Sequence, residues 1–420
     1  MPWYTPAETV EGRNVRSLYA ETAWFGILSG LTATFVSVFA LRLGASTQQV
    51  GWLTALPALV NVLWLIPAAQ ILERQRHRLP IILFTGLAQR LGYIALAAMP
   101  FVILTGRIEA LIFLQALITL PTAIINTALT AIIPDLVSPE KRGQVISTRW
   151  LILAATSTLA ALVGGKFLDL VRVPLNYQIL LGAGSALSLL GLLNLRRMRL
   201  PDHALAPRPE PPGGRRSWLP SRASLRSIVS RRGFVRFAIA AFVFHWGIYL
   251  PAALWSVLRV RDLGATDTWI GLIAVVVDAS TIAGYFMWGK VRAQWGDRRL
   301  LVVSSLAVSV YTLLTALVPT IAWMIPTSMV GGFAWAGCNL ALFNVLLSVC
   351  PDERRATYVA LYTALLNITA FAGPLLGAAL SDGVGIRWAF VASTGLRLAG
   401  VLLFFLLLPR LQGERMAGWT

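Results

Sequence analysis

The stretch RRMRLPDHALAPRPEPPGGRRSWLPSRASLRSIVSRR, running from Arg196 to Arg232, is unlike everything around it. It holds ten arginines and six prolines near the midpoint of a 420-residue chain. Such a segment cannot bury enough apolar surface to order itself, and it is expected to be a loop or linker. Long apolar runs flank it on both sides. The whole chain is 57% hydrophobic and only 13% charged, with a mean hydropathy of +0.70. Soluble domains carry roughly 25% charged residues, so this chain lacks the polar surface needed to face water. An integral membrane protein is expected.

A net charge of +18 would point to nucleic acid in a soluble protein. Here the charges fall in short loops between apolar runs, which fits cytoplasmic enrichment of Lys and Arg instead, and no nucleic-acid partner is expected. Cys338 and Cys350 lie in or at the end of one apolar run and imply no disulfide framework. The polar start, Met1 to Arg16, lacks a small-residue cleavage site after the first apolar run, so no cleaved signal peptide is expected.

A spanning helix needs about 20 apolar residues. The first half then gives spans at Leu18–Leu41, Val50–Leu72, Pro80–Leu104, Ile108–Ile133, Gln144–Leu168 and Pro174–Leu195. The second gives Gly233–Leu258, Trp269–Gly289, Leu300–Val318, Ile321–Val349, Ala356–Leu380 and Arg387–Leu408. The expected fold is all-α, with twelve transmembrane helices in two six-helix bundles. Residues 1–195 form the first bundle, 196–232 the basic Pro-rich linker and 233–420 the second bundle. Basic residues concentrate in the alternate loops that would share a side with the N-terminus, so both termini and the linker are expected in the cytoplasm.

The two halves repeat one another. Leu43-Gly44-Ala45-Ser46, with Val50-Gly51 after it, matches Leu263-Gly264-Ala265-Thr266 followed by Ile270-Gly271. Pro139-Glu140-Lys141-Arg142 likewise matches Pro351-Asp352-Glu353-Arg354, and Gly164 to Asp169 matches Gly377 to Asp382. Each anchor falls at the same place between spans.

This pattern resembles the major facilitator superfamily over nearly the whole chain. The family signature between its second and third helices is Gly-x-x-x-Asp-Arg-x-Gly-Arg-Arg, echoed between the eighth and ninth. The first copy here runs from Ala69 to Arg78; it keeps the acid and the next Arg as Glu73 and Arg74, and loses both glycines, to Ala69 and Arg76. The second runs from Gly289 to Arg298 and keeps Gly289, Gly296 and Arg298, with Ala293 in place of the acid. The resemblance implies alternating access, two bundles rocking about a central midplane site. It casts Glu73, Arg74, Arg78, Arg142, Gly289, Gly296, Arg298 and Arg354 as gating-loop residues, although such charges could equally do no more than mark the cytoplasmic side. The family's drug/proton antiporters carry an Arg deep in the fourth helix and a Gly-Pro-x-x-x-Gly element in the fifth. Here the fourth span has no Arg beyond Arg107, and Gly373-Pro374-Leu375-Leu376-Gly377 lies in the eleventh instead.

Ionisable groups inside spans cost roughly 2.5–3.5 kcal/mol each, which makes them functional suspects. They are Glu21, Arg90, Arg149, His245, Asp278 and Arg397. Asp278, in the eighth span, is expected to face the cavity and bind a proton or a cationic group, against the alternative of an internal pair with an Arg. His245 has either a coupling role or a satisfied place in the core. Glu21 and Arg149 are expected to pair for structure, and Arg90 and Arg397 to be inward-facing structural charges. Gln115 and Asn126 on the fourth span, with Asn339 and Asn344 on the tenth, supply amides for a site, and Trp335 a wall. Asn126 and Asn339 are repeat-related and are expected to face each other, unless each serves interhelical bonding.

Secondary active transport of a small solute, coupled to protons, is the expected function. A drug or amphipath efflux antiporter and an uncoupled uniporter are the alternatives, ahead of a non-transporting sensor. One central carboxylate would suit a neutral or cationic solute. No nucleotide-binding loop is present and the three histidines do not cluster, so neither a cofactor, a metal nor enzymatic chemistry is expected. The expected partners are a small-molecule substrate, a proton and the lipid bilayer, with the chain acting as a multi-pass monomer in the cell (plasma or inner) membrane.

Overall fold

The structure is a computed structural model, and it describes residues 9–74, 78–198, 230–351 and 355–408. Apart from short turns, every described segment is helical. That follows from the solvent: inside lipid each backbone N–H and C=O must find its partner within the protein, and a helix supplies all of them locally. The helices are α1 (Val10–Arg42), α2 (Thr47–Arg74), α3 (Arg78–Val102), α4 (Arg107–Leu136), α5 (Pro139–Leu168) and α6 (Leu175–Arg196). Then come α7 (Arg232–Tyr249), α8 (Asp267–Leu317), α9 (Met324–Val349), α10 (Arg355–Val384) and α11 (Ile386–Leu407). Beyond Tyr249, Pro251 interrupts the helical ladder. The chain resumes as a single turn, Leu254–Val257, and a π-helical turn, Leu258–Asp262.

Ten of the helices among the described residues are long and apolar enough to cross a membrane. The chain is a multi-pass membrane protein. Two boundaries differ from the sequence reading. Helix α1 begins at Val10, so Arg13 and Arg16 lie on a helix rather than in a polar leader; Thr9 caps it by accepting from the Gly12 N–H at 3.0 Å. The expected spans Trp269–Gly289 and Leu300–Val318 are joined in one helical run, 267–317, broken only at Gly296 with φ 75° and ψ 167°. Only glycine adopts that conformation without strain, so two helical arms meet here with no loop between them.

Two compact units emerge from the contacts. The first comprises the described residues of Met1–Ala45, Val60–Arg216 and Thr266–Leu272; the second comprises those of Ser46–Leu59, Ser217–Ala265 and Ile273–Thr420. In the first unit α1 packs on α5 and α6, and α3 on α4 and α6. Gly26 and Gly30 let α1 lie directly on α5, where a side chain at either position would strike Thr156 or the Ser157 backbone. Small residues four apart are the usual means of close approach in a membrane, where apolar burial gives helices no drive to associate. The core of this unit is aliphatic, with Leu18, Ile82, Leu129, Ile132 and Leu195 at its centre. The second unit has an aromatic core in which α7 packs on α10 and α11, with Phe237, Phe244, Tyr358, Tyr362 and Phe404 interleaved.

The sequence repeat has a structural counterpart. Gly44 and Gly264 both have positive φ, 95° and 61°, each turning the chain before the next long helix. Ser46 and Gln49 close the first of these turns reciprocally, Gln49 Oε1 accepting from the Ser46 N–H at 2.8 Å and Ser46 Oγ from the Gln49 N–H at 3.1 Å. At the second turn Asp169 takes that role, accepting from the backbone N–H of Asp267 and of Thr268, each at 2.9 Å. Cys338 and Cys350 are both free and buried.

Candidate functional site

A cavity of about 550 Å³ opens in the first unit between α1, α3, α4 and α5. That volume suits a small organic molecule. Each helix contributes one stripe at helical spacing: Thr22, Phe25, Ser29 and Thr32 from α1; Gln89 and Tyr93 from α3; Gln115, Thr122, Asn126 and Thr130 from α4; Arg149, Trp150 and Leu153 from α5. Gln89 Nε2 donates to Thr122 Oγ1 at 2.8 Å, and Tyr93 sets its hydroxyl beside the side chains of Gln115 and Thr32. Gln115 Oε1 is buried and has no hydrogen-bond partner among the described residues.

A charged cluster stands behind this wall. Glu21 and Arg90 are about 1% and 0% exposed, and Arg90 Nη2 donates to Glu21 Oε1 at 3.0 Å. Arg90 also donates to Gln89 Oε1 at 3.1 Å and to the carbonyl oxygens of Gly86 and Ser188 at 3.2 and 3.4 Å. The second carboxylate oxygen, Glu21 Oε2, is buried without a partner among the described residues. This corrects the expected pairing of Glu21 with Arg149. Arg149 acts on Glu21 only through longer-range charge and donates its Nε to the Thr22 hydroxyl at 3.0 Å. Gly86, one turn away on α3, lies close beneath the guanidinium: a Cβ there would strike Leu192 and Ile125 and come within 3.2 Å of Arg90 Nη1.

Of the residues singled out from sequence, Gln115 and Asn126 line this cavity, and Arg149 joins them. The remaining expected binding residues lie in the second unit. His245 is buried, its Nδ1 2.7 Å from the Ala241 carbonyl oxygen and its ring against Phe244, Tyr249 and Tyr362. Asp278 is half-buried on α8 and Asn344 half-buried on α9, where Asn344 Nδ2 has no partner among the described residues. Asn339 is exposed and donates to the Tyr285 hydroxyl at 2.9 Å, and Trp335 packs against the aromatic core. Arg397 is buried as expected, held by the Gly247 and Val308 carbonyl oxygens at 3.1 and 3.3 Å.

The gating-loop candidates divide. Arg142 caps the end of α4, donating to the carbonyls of Pro134 at 2.9 Å and Val137 at 3.2 Å, where a cation meets the negative end of the helix dipole. Arg298 donates to the Phe405 carbonyl oxygen at 2.7 Å, Gly289 lies exposed within α8, and Gly296 is the break in it. The acid missing at Ala293 is supplied from sequence further on: Asp297 receives Arg292 at 2.6 and 3.4 Å. Glu73 and Arg74 end α2 and Arg78 begins α3; their side chains, and Arg354 entirely, lie outside the described residues.

Sequence reasoning missed Thr22, Ser29, Thr32, Gln89, Tyr93, Thr122 and Trp150. The available signal was their recurrence every three, four or seven residues along one face of a helix.

A family model described as Major Facilitator Superfamily matches residues 22–259 and 237–417. The chain belongs to the major facilitator superfamily. Its members are transporters, and this chain is a membrane transporter. Among curated relatives it is 25% identical over 384 residues to the multi-drug resistance efflux pump PmrA of Streptococcus pneumoniae, covering 89% of this chain and 91% of that one. It is 29% identical over 297 residues to the enterobactin exporter EntS of Escherichia coli, covering 67% and 65%. Among solved structures, a bacterial homologue of the human lysosomal transporter Spinster matches with a TM-score of 0.72 at 15% identity, over 96% of this chain and 98% of that one. The nucleoside transporter NupG matches with a TM-score of 0.70 at 13% identity, over 95% and 99%. At those identities the likeness is one of fold.

Proposed function

We propose that this transporter exports a small solute by alternating access, driven by a proton gradient. The observation that carries the reading is the cavity of about 550 Å³ in the first unit, lined by polar side chains from four helices within an otherwise apolar chain. Lipid-facing helices have no use for such a concentration of amides and hydroxyls, whereas a solute shedding its hydration shell does. Export is favoured over uptake because the two curated relatives are named as an efflux pump and an exporter.

Counting α2 and both arms of the 267–317 run gives twelve spans. With that number the termini share a side, and the positive-inside bias puts them in the cytoplasm of a cell whose plasma or inner membrane holds the chain. Residues 1–195 and 233–420 then act as the two rocking halves on either side of the basic linker, the chain working as a monomer. The Gly296 break, with Arg142 and Arg298, marks helix junctions that would open and close in this cycle, and Glu73, Arg74, Arg78, Gly289 and Arg354 are assigned to the same gating set from their places in the sequence.

Two carboxylates are candidates for the proton. Asp278 is the one singled out from sequence. Glu21 is the one with a buried, unpartnered oxygen, which a proton would convert into a donor. His245, Asn339, Asn344 and Trp335 fall to the second unit, where the reading gives Asn344 a substrate contact and His245 a packing role. The test is proton-driven flux in proteoliposomes with an imposed pH gradient, screened over sugars, amino acids, lipophilic cations and aromatic carboxylates. Loss of gradient-driven flux in Asp278→Asn or Glu21→Gln, with exchange of solute retained, identifies the coupling acid. Flux indifferent to the gradient and to both substitutions overturns proton coupling.

A further inference from the structure

We infer that Arg149 receives an anionic group of the transported solute, so that the substrate class is a small organic anion. This rests on the cavity being the substrate site.

Five of the chain's other arginines show one thing a structural arginine does here. Arg90, Arg142, Arg298, Arg387 and Arg397 each donate to backbone carbonyl oxygens. Arg149 donates to none among the described residues. Its one hydrogen bond among the described residues runs from Nε to Thr22 Oγ1 at 3.0 Å, which leaves both terminal nitrogens, with four of the five guanidinium N–H donors, without a protein acceptor. The guanidinium is half-buried on the cavity wall and none of its nitrogens is among the buried atoms left without a partner, so these donors open on the cavity, within reach of a solute's acceptors.

The only acid within electrostatic reach among the described residues does not fill the role. Glu21 lies behind the wall in contact with Arg90, and its second oxygen accepts nothing from Arg149. Two guanidiniums against one carboxylate leave this wall of the cavity with an excess positive charge, since Tyr93 carries none near neutral pH. The planar fork of a guanidinium matches a carboxylate, sulfonate or phosphate bidentately, and the same cavity offers the Trp150 and Phe25 rings to an apolar or planar remainder. This substrate class differs from the neutral or cationic solute expected from Asp278.

The test uses three probes with one ring system and different charge: 2-naphthoate, 2-naphthamide and 2-naphthylmethylammonium. Their binding to the purified full-length protein is measured by isothermal titration in detergent at low ionic strength. Wild type should prefer 2-naphthoate over 2-naphthamide by at least tenfold. Arg149→Met should erase the preference, Arg149→Lys should keep part of it, and Asn126→Ala should weaken both probes alike while leaving their ratio intact. Equal affinities, a preference for the cation, a preference surviving in Arg149→Met, or no binding of any probe overturns the assignment. Flux of the same probes in proteoliposomes separates the two readings. A naphthoate preference without flux keeps the anion site and sinks transport through it, and flux without charge preference does the reverse.

Discussion

Replacing Arg90 by Met should destabilise the protein by about 3–5 kcal/mol, the usual cost of stripping one partner from a fully buried ion pair. The figure follows from the burial of both groups, about 0% and 1% exposed, and from the contact at 3.0 Å. Without Arg90, Glu21 would have neither of its oxygens satisfied, because Oε2 already has no partner among the described residues. Glu21→Leu alone should cost less, since Arg90 retains the Gln89 side chain and the carbonyls of Gly86 and Ser188. The double variant Glu21→Leu/Arg90→Met should recover most of the loss, an apolar replacement of a buried pair being close to neutral. The coupling energy from equilibrium unfolding in mixed micelles should therefore be about 2 kcal/mol or more. Additive effects would refute this reasoning. So would a larger coupling between Glu21 and Arg149 than between Glu21 and Arg90.

Gly30→Ala should destabilise the fold by about 1–3 kcal/mol, because the new methyl meets the Ser157 backbone rather than a side chain that can turn away; a lowered midpoint in a thermal scan in detergent checks it. Asp169 should make stability depend on acid. Burial works against its charge, but bonds from Thr268, Asp267 and Thr266 more than offset this and hold its pKa below the ordinary 3.8. A depressed carboxylate pKa contributes stability above the unfolded value and loses it as pH falls through the folded one. Asp169→Asn should thus cost about 1 kcal/mol or less at pH 6, a cost that shrinks once the pH falls below the ordinary carboxylate value and vanishes below the folded one, as read from melting points across an acid series. His245→Gln should lower stability while leaving the pH dependence of flux in place, because the ring is committed to the Ala241 carbonyl and to aromatic neighbours.

The repeat was legible because it depends on backbone. Gly44 and Gly264 are needed wherever the chain turns with positive φ, and the residue type betrays the geometry. Likewise the apolar runs had to be helices once the composition called for lipid. Contact partners were not legible in the same way. In helices apolar all round, sequence does not say which face meets which neighbour, and Glu21 lies within a turn or two of more than one arginine. Arg90 is the one that reaches Glu21, at 3.0 Å, a fact of packing and not of pattern. The cavity stripe was hidden for a different reason. Thr22, Thr32 and Thr122 each donate to the carbonyl four residues back, at 2.8, 2.9 and 2.7 Å, so a threonine on any face of a membrane helix is self-satisfied and draws no notice. Only their convergence on one void marks them.

The most direct test of the central claim is to fill that void. Ser29→Trp places an indole where α1 faces Gln115, Asn126 and Arg149. Solute flux of wild type and variant is then compared in proteoliposomes after matching the amounts of folded protein. The cavity reading predicts that flux of every transported solute falls at least tenfold while the thermal midpoint stays near wild type. Flux at the wild-type rate through the filled cavity would contradict it.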